Sequence, residues 1–401
     1  MKIAVIGGGV AGVSLAIQLA DFYDVTIFEK NDRILKKLLV TGNGQCNFSN
    51  EKIDHTNFHG DDEFINKFFS EIDIRSGEKF LSFLGIEKKA DKRGRIYPSS
   101  MQASSVVDAF FLKIEESNVE LKLSTEVEDL KVKNNKFIIN NDYSNPFNYC
   151  ILAPGSMSYP QLGTDGKSYK LAENLGHKKT KLYPGVTAFK ASIPFIRELK
   201  GTRVECSVFY YLNSEKIDKI GDIIFTEDGI SGNAIFEISS NVIRNNIKSV
   251  YLDFMPDYDD KRMKELLIKR IKTFPNRNTS WLLNGIIHKK IGNVILKVLQ
   301  IDKNKPLSQI CDSEIEMLTN IIKSFEIRDI SGGSWKLSQI TIGGIDTNYI
   351  NTNFESKIVK NLFMIGEYLN VDGDCGGYNI TFALLSSIKV ADFLKEEICK
   401  S

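Results

Sequence analysis

Three glycines near the start of the chain have the spacing needed to hold a phosphate group. Gly7, Gly9 and Gly12 form a G-x-G-x-x-G motif. The motif follows a short apolar run, residues 3–6, and precedes a segment with helical spacing, so a strand, a turn and a helix are expected in that order. Glu29 lies seventeen residues after the last glycine, near the end of a second apolar run, VTIFEK. In this context the motif predicts a βαβ unit that binds a dinucleotide.

Each residue type in this pattern has a physical role. Gly7 permits the tight turn, Gly9 lets the backbone approach a pyrophosphate, and Gly12 lets the helix and strand pack closely. The N-terminus of the helix offers free N–H groups and a partial positive charge to the diphosphate. Glu29 can accept hydrogen bonds from the adenosine ribose hydroxyls, and its charge would repel a 2′-phosphate.

Composition limits the classes of partner. Hydrophobic residues make up 42% and charged residues 26% of the 401 residues, as in ordinary globular proteins of two or three domains. The net charge of +1 gives no field that favours nucleic acid or an anionic membrane. The chain begins directly with a predicted strand, without a signal peptide, and has no apolar stretch of about 20 residues. We therefore expect a cytoplasmic location and no membrane span, and we predict no particular oligomeric state.

Cysteine and histidine usage argues against a metal centre. The six cysteines are scattered without a C-x-x-C motif, and there are only four histidines. Neither pattern has metal-ligand spacing, so we expect no bound metal and reduced thiols.

Periodicity predicts the main elements. Helices are expected over 61–84, 104–117 and 378–395; strands over 119–123, 126–132, 136–140, 149–152, 186–191, 204–212, 222–226 and 362–366. The runs at 119–140 are predicted to form a small meander, and the run at 149–152 to return to the first sheet. Residues 257–325 are expected to be mostly helical, with 13 Lys/Arg against 8 Asp/Glu. A solvated helix face is the favoured interpretation of this excess, and a surface for a partner or an anionic substrate is the alternative.

Two further glycine-rich segments follow predicted strands. One is Ala153-Pro-Gly155, and the other is GEYLNVDGDCGGYN, residues 366–379. Ligands of open α/β sheets lie beyond the carboxyl ends of the strands, where all three segments are expected. A nicotinamide cofactor would need only the first segment, so three segments favour FAD. Glu367 is a candidate for the ribityl hydroxyls or, through water, the diphosphate, and the helix beginning near Tyr378 for the flavin N1/C2=O edge.

Longer motifs resemble a known family. KKLLVTGNGQCNFSN, GRIYPSSMQASSVVDAF, LAPGSMSYPQLGTDGKSYKLAENLGH and FTEDGISGNAIFEIS are similar to segments of the bacterial FAD flavoproteins that include the bile-acid-reducing BaiN type and the aminoacetone oxidases. GGI…ESK…NLFMIGEYLNVDGDCGGYNITFA completes the set, so the resemblance runs from residue 3 to about residue 390. The chain departs from the family pattern at Asn43, Gln45, Pro154 and Ile388. Gln45 replaces an arginine found in many members, which removes a cation near the cofactor.

The resemblance implies an α/β architecture: a glutathione-reductase-like Rossmann domain that binds FAD, interrupted by a β-rich domain with a helical insert. No histidine or cysteine has a clear context for covalent attachment, so non-covalent FAD is expected. The expected boundaries are 1–185 with 336–401 for the FAD-binding domain, 186–256 with 326–335 for the β-rich domain, and 257–325 for the helical insert. Together with the motifs, it gives the expected cofactor-binding residues: Gly7, Gly9, Val10, Ala11, Gly12, Glu29, Lys30, Lys37, Leu38, Gly42, Gly44, Cys46, Asn47, Val127, Ala153, Gly155, Gly366, Glu367, Asp372, Gly376, Gly377, Tyr378 and Asn379.

These features predict an FAD-dependent oxidoreductase that acts on a small organic substrate. No second G-x-G-x-x-G motif is present, so NAD(P)H is expected only as a transient substrate, with oxygen as the other candidate redox partner. Reduction of a C=C bond and oxidation of a small amine both remain open. Candidates for proton transfer are Tyr159, Asp165 and Tyr378. The alternative is a flavin-binding protein whose insert binds RNA or a protein, and the +5 charge of residues 257–325 is its only support.

Overall fold

The computed structural model describes the backbone of residues 1–400 and the side chains of residues 1–399. It divides into two compact units, one formed by residues 1–184 together with the chain from Trp335 onward, the other by residues 185–334. Among the described residues, no helix combines the length and the apolar character that crossing a bilayer requires.

The strands, in chain order, are β1 (Lys2–Ile6), β2 (Asp24–Phe28), β3 (Ser49–Asn50), β4 (Phe58–Gly60), β5 (Lys88–Ala90), β6 (Arg95–Pro98), β7 (Glu120–Lys122), β8 (Leu130–Lys133), β9 (Lys136–Ile139), β10 (Tyr149–Leu152), β11 (Tyr183–Gly185), β12 (Phe189–Ser192), β13 (Arg203–Leu212), β14 (Glu215–Phe225), β15 (Gly229–Ser231), β16 (Val250–Asp253), β17 (Phe325–Gly332), β18 (Ile340–Ile342), β19 (Leu362–Met364) and β20 (Val371–Gly373). The α-helices are α1 (Val10–Leu19), α2 (Asp62–Ser70), α3 (Ser76–Phe83), α4 (Ala103–Glu115), α5 (Tyr169–Glu173), α6 (Ile196–Leu199), α7 (Asn233–Arg244), α8 (Asp260–Thr273), α9 (Lys289–Val298), α10 (Asp312–Lys323) and α11 (Tyr378–Lys400).

A five-stranded sheet in the order β19-β10-β1-β2-β7 organises the first unit. All four strand pairs are parallel. The strands are short apolar runs because helices cover parallel sheets on both faces, and Ile3, Val5 and Ile27 are fully buried. The predicted Rossmann-type α/β fold is confirmed, and β10 returns beside β1 as predicted.

Two local predictions were wrong. The expected meander does not form, because β7 pairs parallel with β2 in the main sheet while β8 and β9 pair with each other. A crossover through α4 carries the chain to the open edge of the sheet beside β2. Asn134 and Asn135, both at positive φ, form the turn of a separate hairpin between β8 and β9. The predicted helix over 61–84 is interrupted after Ser70, where the Asp73 side chain accepts a hydrogen bond from the Arg75 N–H.

The second unit is built on a closed barrel of six strands in the order β12-β15-β14-β13-β16-β17. Alternate residues of β13, among them Cys206, Val208 and Tyr210, are buried in its core. Helices α8, α9 and α10 bury their apolar residues in the same core, including Met263 and Leu267 of α8. The polar face of α8 is thereby left outside.

Candidate functional site

The first glycine turn closes against the second. Gly7 has φ +111°, and a Cβ there would lie 2.3 Å from the carbonyl oxygen of Ala153. A Cβ on Gly12 would lie 2.1 Å from the carbonyl oxygen of Gly7. Only hydrogen fits at either position, so both glycines are needed for the fold around the ends of β1 and β10.

Gly9 differs from its two neighbours in the motif. It precedes α1 as the N-cap in an extended conformation, φ −80° and ψ −177°, that any residue can adopt. A Cβ built on Gly9 meets no atom within 4 Å. The space beside Gly9 is therefore open. It lies in front of the N-terminus of the 10-residue helix α1, which begins with Val10 and Ala11. A diphosphate fits this space, because the free N–H groups and the helix dipole there favour an anion.

Glu29 turns its carboxylate toward the same loop. It is 9% exposed, and Oε2 accepts a hydrogen bond from the Gly8 N–H (2.8 Å). Oε1 accepts from the Asn31 backbone N–H (2.8 Å) and side-chain amide (2.6 Å). A Cβ on Gly8 would lie 3.1 Å from Oε2 and 2.7 Å from Ile34, so the middle glycine makes room for the acid. Sequence reasoning missed Gly8 and Asn31; the unbroken Gly7-Gly8-Gly9 run was the available signal.

Lys30, which follows Glu29 in the chain, and Val127 are the next two expected residues. The Lys30 ammonium is 3.3 Å from a carboxylate oxygen of Asp165 and 3.7 Å from one of Glu126. Val127 is buried. Burial of Asp165 opposes its ionisation, but the Lys167 N–H and the Lys30 charge outweigh this and lower its pKa. Asp165 is therefore a carboxylate at neutral pH and a poor proton donor.

The third glycine segment reaches the start of α1. Gly366 has φ +67°, and a Cβ there would lie 3.0 Å from the Ala11 side chain. Farther along the segment, Gly377 has φ +100°, and a Cβ would lie 2.4 Å from the Ser49 carbonyl oxygen. The three glycine-rich segments predicted to bind the cofactor thus meet at the carboxyl ends of β1, β10 and β19.

A charged network joins these segments. The Lys37 ammonium lies 2.5 Å from Oε2 of Glu367 and donates to the Ser158 hydroxyl. Oε1 of Glu367 accepts from that hydroxyl (2.8 Å) and from the Thr341 N–H (2.8 Å). Lys37 and Glu367 were both expected at the cofactor. Ser158 and Thr341 were missed, since no spacing rule links them to Glu367.

The loop after the second strand carries the next group of expected residues. Leu38 begins a 3-10 helix over Leu38–Gly44 and is buried. Gly42 and Gly44 have φ +56° and +82°, which supply the sharp turns of the loop. Cys46 is fully buried, and burial raises the pKa of its thiol to about 12 despite a hydrogen bond with Thr41.

Side chains then join this loop to the third segment. Asn47, with its side-chain amide oriented to satisfy both neighbours, accepts from the Gly377 N–H (3.2 Å) and donates to the Ser49 carbonyl (3.0 Å). The Asn50 amide donates to the Gly376 carbonyl (3.3 Å). Asn379 accepts from the Gly373 N–H at 2.9 Å and donates to its carbonyl at 2.8 Å.

Gly155, Asp372 and Tyr378 are also among the expected cofactor-binding residues. Gly155 has φ +76°, and a Cβ there would lie 2.8 Å from the Thr164 side chain. Asp372 is buried in β20, opposite His59 of β4. Tyr378 begins α11 and is 7% exposed.

Tyr159 occupies a constrained turn. Its φ of +56° is unusual for a bulky residue. The Tyr159 N–H donates to the Trp335 carbonyl (3.1 Å), and the Thr164 hydroxyl donates to the Tyr159 carbonyl (3.2 Å). Burial raises the pKa of the Tyr159 hydroxyl, so the phenol keeps its proton at neutral pH.

A buried carboxylate supports strand β3. Glu78 of α3 is 6% exposed and accepts from Ser49 (2.8 Å), Arg75 (2.6 Å) and Lys88 (2.6 Å). Arg75 also donates to the Asn50 carbonyl (2.9 Å). Burial opposes ionisation of Glu78, but these hydrogen bonds outweigh it and lower its pKa. Glu78 thereby fixes the strand against which Gly377 packs.

Curated proteins resemble the chain along its whole length. The 3-dehydro-bile acid delta(4,6)-reductase of Clostridium scindens is 30% identical over 395 residues, covering 95% of this chain and 96% of its own. The ribosomal RNA dihydrouridine synthase of Haemophilus influenzae is 25% identical, covering 96% of each chain. Among solved structures, the 3-ketosteroid-delta4-(5alpha)-dehydrogenase of Rhodococcus jostii RHA1 shares the fold, with a TM-score of 0.50, 12% identity and coverage of 97% and 96%.

The family assignment rests on the full chain rather than on the glycine motif alone. The HI0933-like protein Rossmann domain family matches residues 1–393, so the match includes both units. The resemblance drawn from the motifs is confirmed, and so is the enzyme class, an FAD-dependent oxidoreductase. With its three converging glycine segments and its full-length relatives, the chain belongs to the HI0933-like Rossmann family.

Proposed function

We propose that the chain is an FAD-dependent reductase of C=C bonds conjugated to a carbonyl group. The observation that carries the proposal is the open space beside Gly9 at the N-terminus of α1, where the other two glycine segments also meet. Gly9, Val10 and Ala11 would hold the diphosphate, and Glu29 the adenosine ribose. Gly366, Glu367 and the start of α11 are the candidates for the flavin end.

The names of the relatives support this reaction type. A 3-dehydro-bile acid with Δ4,6 unsaturation and the uracil ring of uridine both contain a C=C bond next to a carbonyl. In both cases the named reaction adds two hydrogens across that bond. The two relatives therefore share one chemistry on very different molecules, and the proposal assigns that chemistry here. Flavin, when bound, supplies the hydride for the carbon distal to the carbonyl.

The protein must then supply a proton for the carbon next to the carbonyl. We assign this role to Tyr159, because it directly follows Ser158, whose hydroxyl donates to Glu367, and because a phenol carries its proton at neutral pH. Asp165 is less suited, since its ion pairs with Lys30 and Lys167 keep it deprotonated. Tyr378 is held in a buried edge-to-face contact with Phe58, with ring centroids 6.1 Å apart.

The test is an anaerobic single-turnover experiment. Holoprotein reduced with NADH, NADPH or dithionite is mixed with a 3-oxo-Δ4 steroid, and reoxidation of the flavin is followed by its visible absorbance. The saturated 3-oxo steroid is the control, because it has the same ring skeleton and no conjugated C=C bond. Reoxidation of the flavin by the unsaturated compound supports the reaction type. Testosterone, a 3-oxo-Δ4 steroid, is a suitable probe. Reduced flavin that reacts with neither enones nor uridine, while small amines reduce the oxidised flavin, would establish an amine oxidase instead.

Tyr159→Phe isolates the proton-transfer role. Loss of a general acid typically costs about 10²- to 10⁴-fold in rate. Reoxidation by the enone should fall on this scale, while reoxidation by oxygen should stay within a few-fold of wild type. Tyr143→Phe is the matched control, because Tyr143 is 54% exposed. Equal rates with the enone in the Tyr159→Phe variant and the wild type would remove Tyr159 from the mechanism.

A further inference from the structure

Positive charge is concentrated in one part of the second unit, residues 261–305, which we call the basic segment. It contains twelve Lys and Arg residues but only two acidic residues, Glu265 and Asp302, and so has a formal charge of +10. Because the whole chain has a charge of +1, the remaining residues carry −9. Such asymmetry within one chain is typical of a surface that meets a polyanion.

Most of this charge is not neutralised within the chain. Among the described residues, only Lys297 and Lys305 of the basic segment form ion pairs, with Glu198 and Glu314 respectively. Eight of the other cations are exposed: Lys261, Arg262, Lys269, Lys272, Arg277, Lys289, Lys290 and Lys303. A merely solvated helix face usually interleaves both signs in similar numbers, whereas α8 carries six Lys and Arg residues against Asp260 and Glu265.

Two arginines share one aromatic ring in the middle of the basic segment. The guanidinium carbons of Arg270 and Arg277 each lie 4.2 Å from the centroid of the Trp281 ring. Arg270 also donates to the Asn284 carbonyl (2.8 Å), and its Nε is buried without a hydrogen-bond partner. The ring and the carbonyl fix the Arg270 guanidinium in place without cancelling its charge, and the exposed Arg277 on the same ring is open to an anion.

We propose that the basic segment is an RNA-binding surface. Unpaired lysines along α8 would meet successive phosphates, and the arginines packed on Trp281 would supply planar donors and a stacking surface for unpaired bases. A lipid surface fits less well, because the apolar residues Met263 and Leu267 of α8 are buried in the core and leave no apolar face to insert.

The proposal extends to the substrate of the reductase, and this extension rests on the proposed function. A uracil base carries a C=C bond conjugated to a carbonyl, so RNA held by the basic segment would bring the required group to the protein. RNA binding itself does not depend on the flavin reaction. The two can therefore fail separately.

Binding is measured on oxidised holoprotein without any reductant, by fluorescence anisotropy of a labelled RNA hairpin with a uracil-containing loop. The salt dependence is followed from 50 to 200 mM KCl. Lys269→Gln/Lys272→Gln removes two exposed charges of α8, and Lys89→Gln/Lys92→Gln removes two exposed lysines of the first unit. Each double variant lowers the net charge equally, so only position differs between them.

The expected result is on the order of tenfold weaker RNA binding for Lys269→Gln/Lys272→Gln, with the slope of log K against log salt reduced by about 1.4 to 1.8. The Lys89→Gln/Lys92→Gln control should bind like wild type. Arg277→Gln should weaken binding to the looped hairpin more than to a fully paired duplex, because stacking needs unpaired bases.

Three results would overturn the proposal: no salt-dependent RNA binding, equal losses in the two double variants, or tighter binding of phosphatidylglycerol vesicles or polyglutamate than of RNA. Reduction of the loop uracil is then assayed separately with reduced holoprotein. RNA binding without uracil reduction would support the RNA-binding surface and refute RNA as the substrate. Reduction of a steroid enone without RNA binding would support the reductase function and refute the RNA-binding surface.

Discussion

Gly9 is the position at which cofactor binding and folding can be separated. Its backbone conformation suits any residue, and an added Cβ meets nothing within 4 Å. Gly9→Ala should therefore change the free energy of unfolding of the apoprotein by less than about 1 kcal/mol, since unfolded-state entropy and N-cap preference act in opposite directions. The same methyl group would enter the space assigned to the diphosphate.

The cost to FAD binding is that of overpacking a close contact. Inserting one methyl group into a filled site costs about 1–3 kcal/mol, which corresponds to roughly 5- to 150-fold in Kd. Titration of apoprotein with FAD, followed by flavin fluorescence, measures this change, and urea unfolding of the apoprotein measures stability. Gly9→Val should bind more weakly still, because its side chain is larger.

Gly7→Ala and Gly12→Ala provide the contrast. Their Cβ atoms would lie 2.3 and 2.1 Å from backbone oxygens, so these variants should lose stability rather than only affinity. If Gly9→Ala binds FAD with the wild-type Kd, the diphosphate does not lie beside Gly9. If its apoprotein is as unstable as that of Gly12→Ala, the space is not open.

Three further predictions follow from single side chains. Glu29→Ala should weaken FAD by about 1–3 kcal/mol, the scale of a hydrogen bond to a charged group, and an unchanged Kd would contradict its assignment to the ribose. Glu78→Gln should destabilise the protein at pH 7 by about 1–2 kcal/mol. The folded-state pKa of Glu78 is lowered, so its stabilisation is present above the ordinary value of 4.5 and is lost as pH falls through the lowered pKa; urea unfolding should give the same stability for both proteins well below that pH. Cys46→Ser should leave an anaerobic dithionite titration at two electrons per FAD, because a thiol with a pKa of about 12 is not a thiolate at neutral pH; four electrons in the wild type, falling to two in the variant, would show that Cys46 forms a disulfide that dithionite reduces.

Local spacing was sufficient to predict the βαβ unit at the start of the chain. G-x-G-x-x-G between a strand and a helix, with an acid at the tip of the next strand, leaves few alternatives, and β1, α1 and β2 appear where the pattern places them. The same reasoning anticipated that the strand at 149–152 would join this sheet, because its apolar run ends in a second glycine turn.

Contacts between segments that are distant in the chain could not be predicted from local spacing. Lys37 and Glu367 are 330 residues apart in the chain, and only the folded sheet brings their side chains together. Gly8 was overlooked because its role is to make room for the side chain of Glu29, not to turn the backbone. The pairing of β7 was misjudged because alternation predicts a strand but does not say which sheet edge is free.

Identification of the bound flavin shows which cofactor the three glycine segments hold. The holoprotein, or apoprotein reconstituted with a mixture of FAD and FMN, is denatured, and the released flavin is identified by chromatography. We expect about one FAD per chain and no FMN, because the space beside Gly9 and the acid at Glu29 are assigned to the adenosine diphosphate half that FMN lacks. Release of FMN, or failure to retain any flavin, would contradict it.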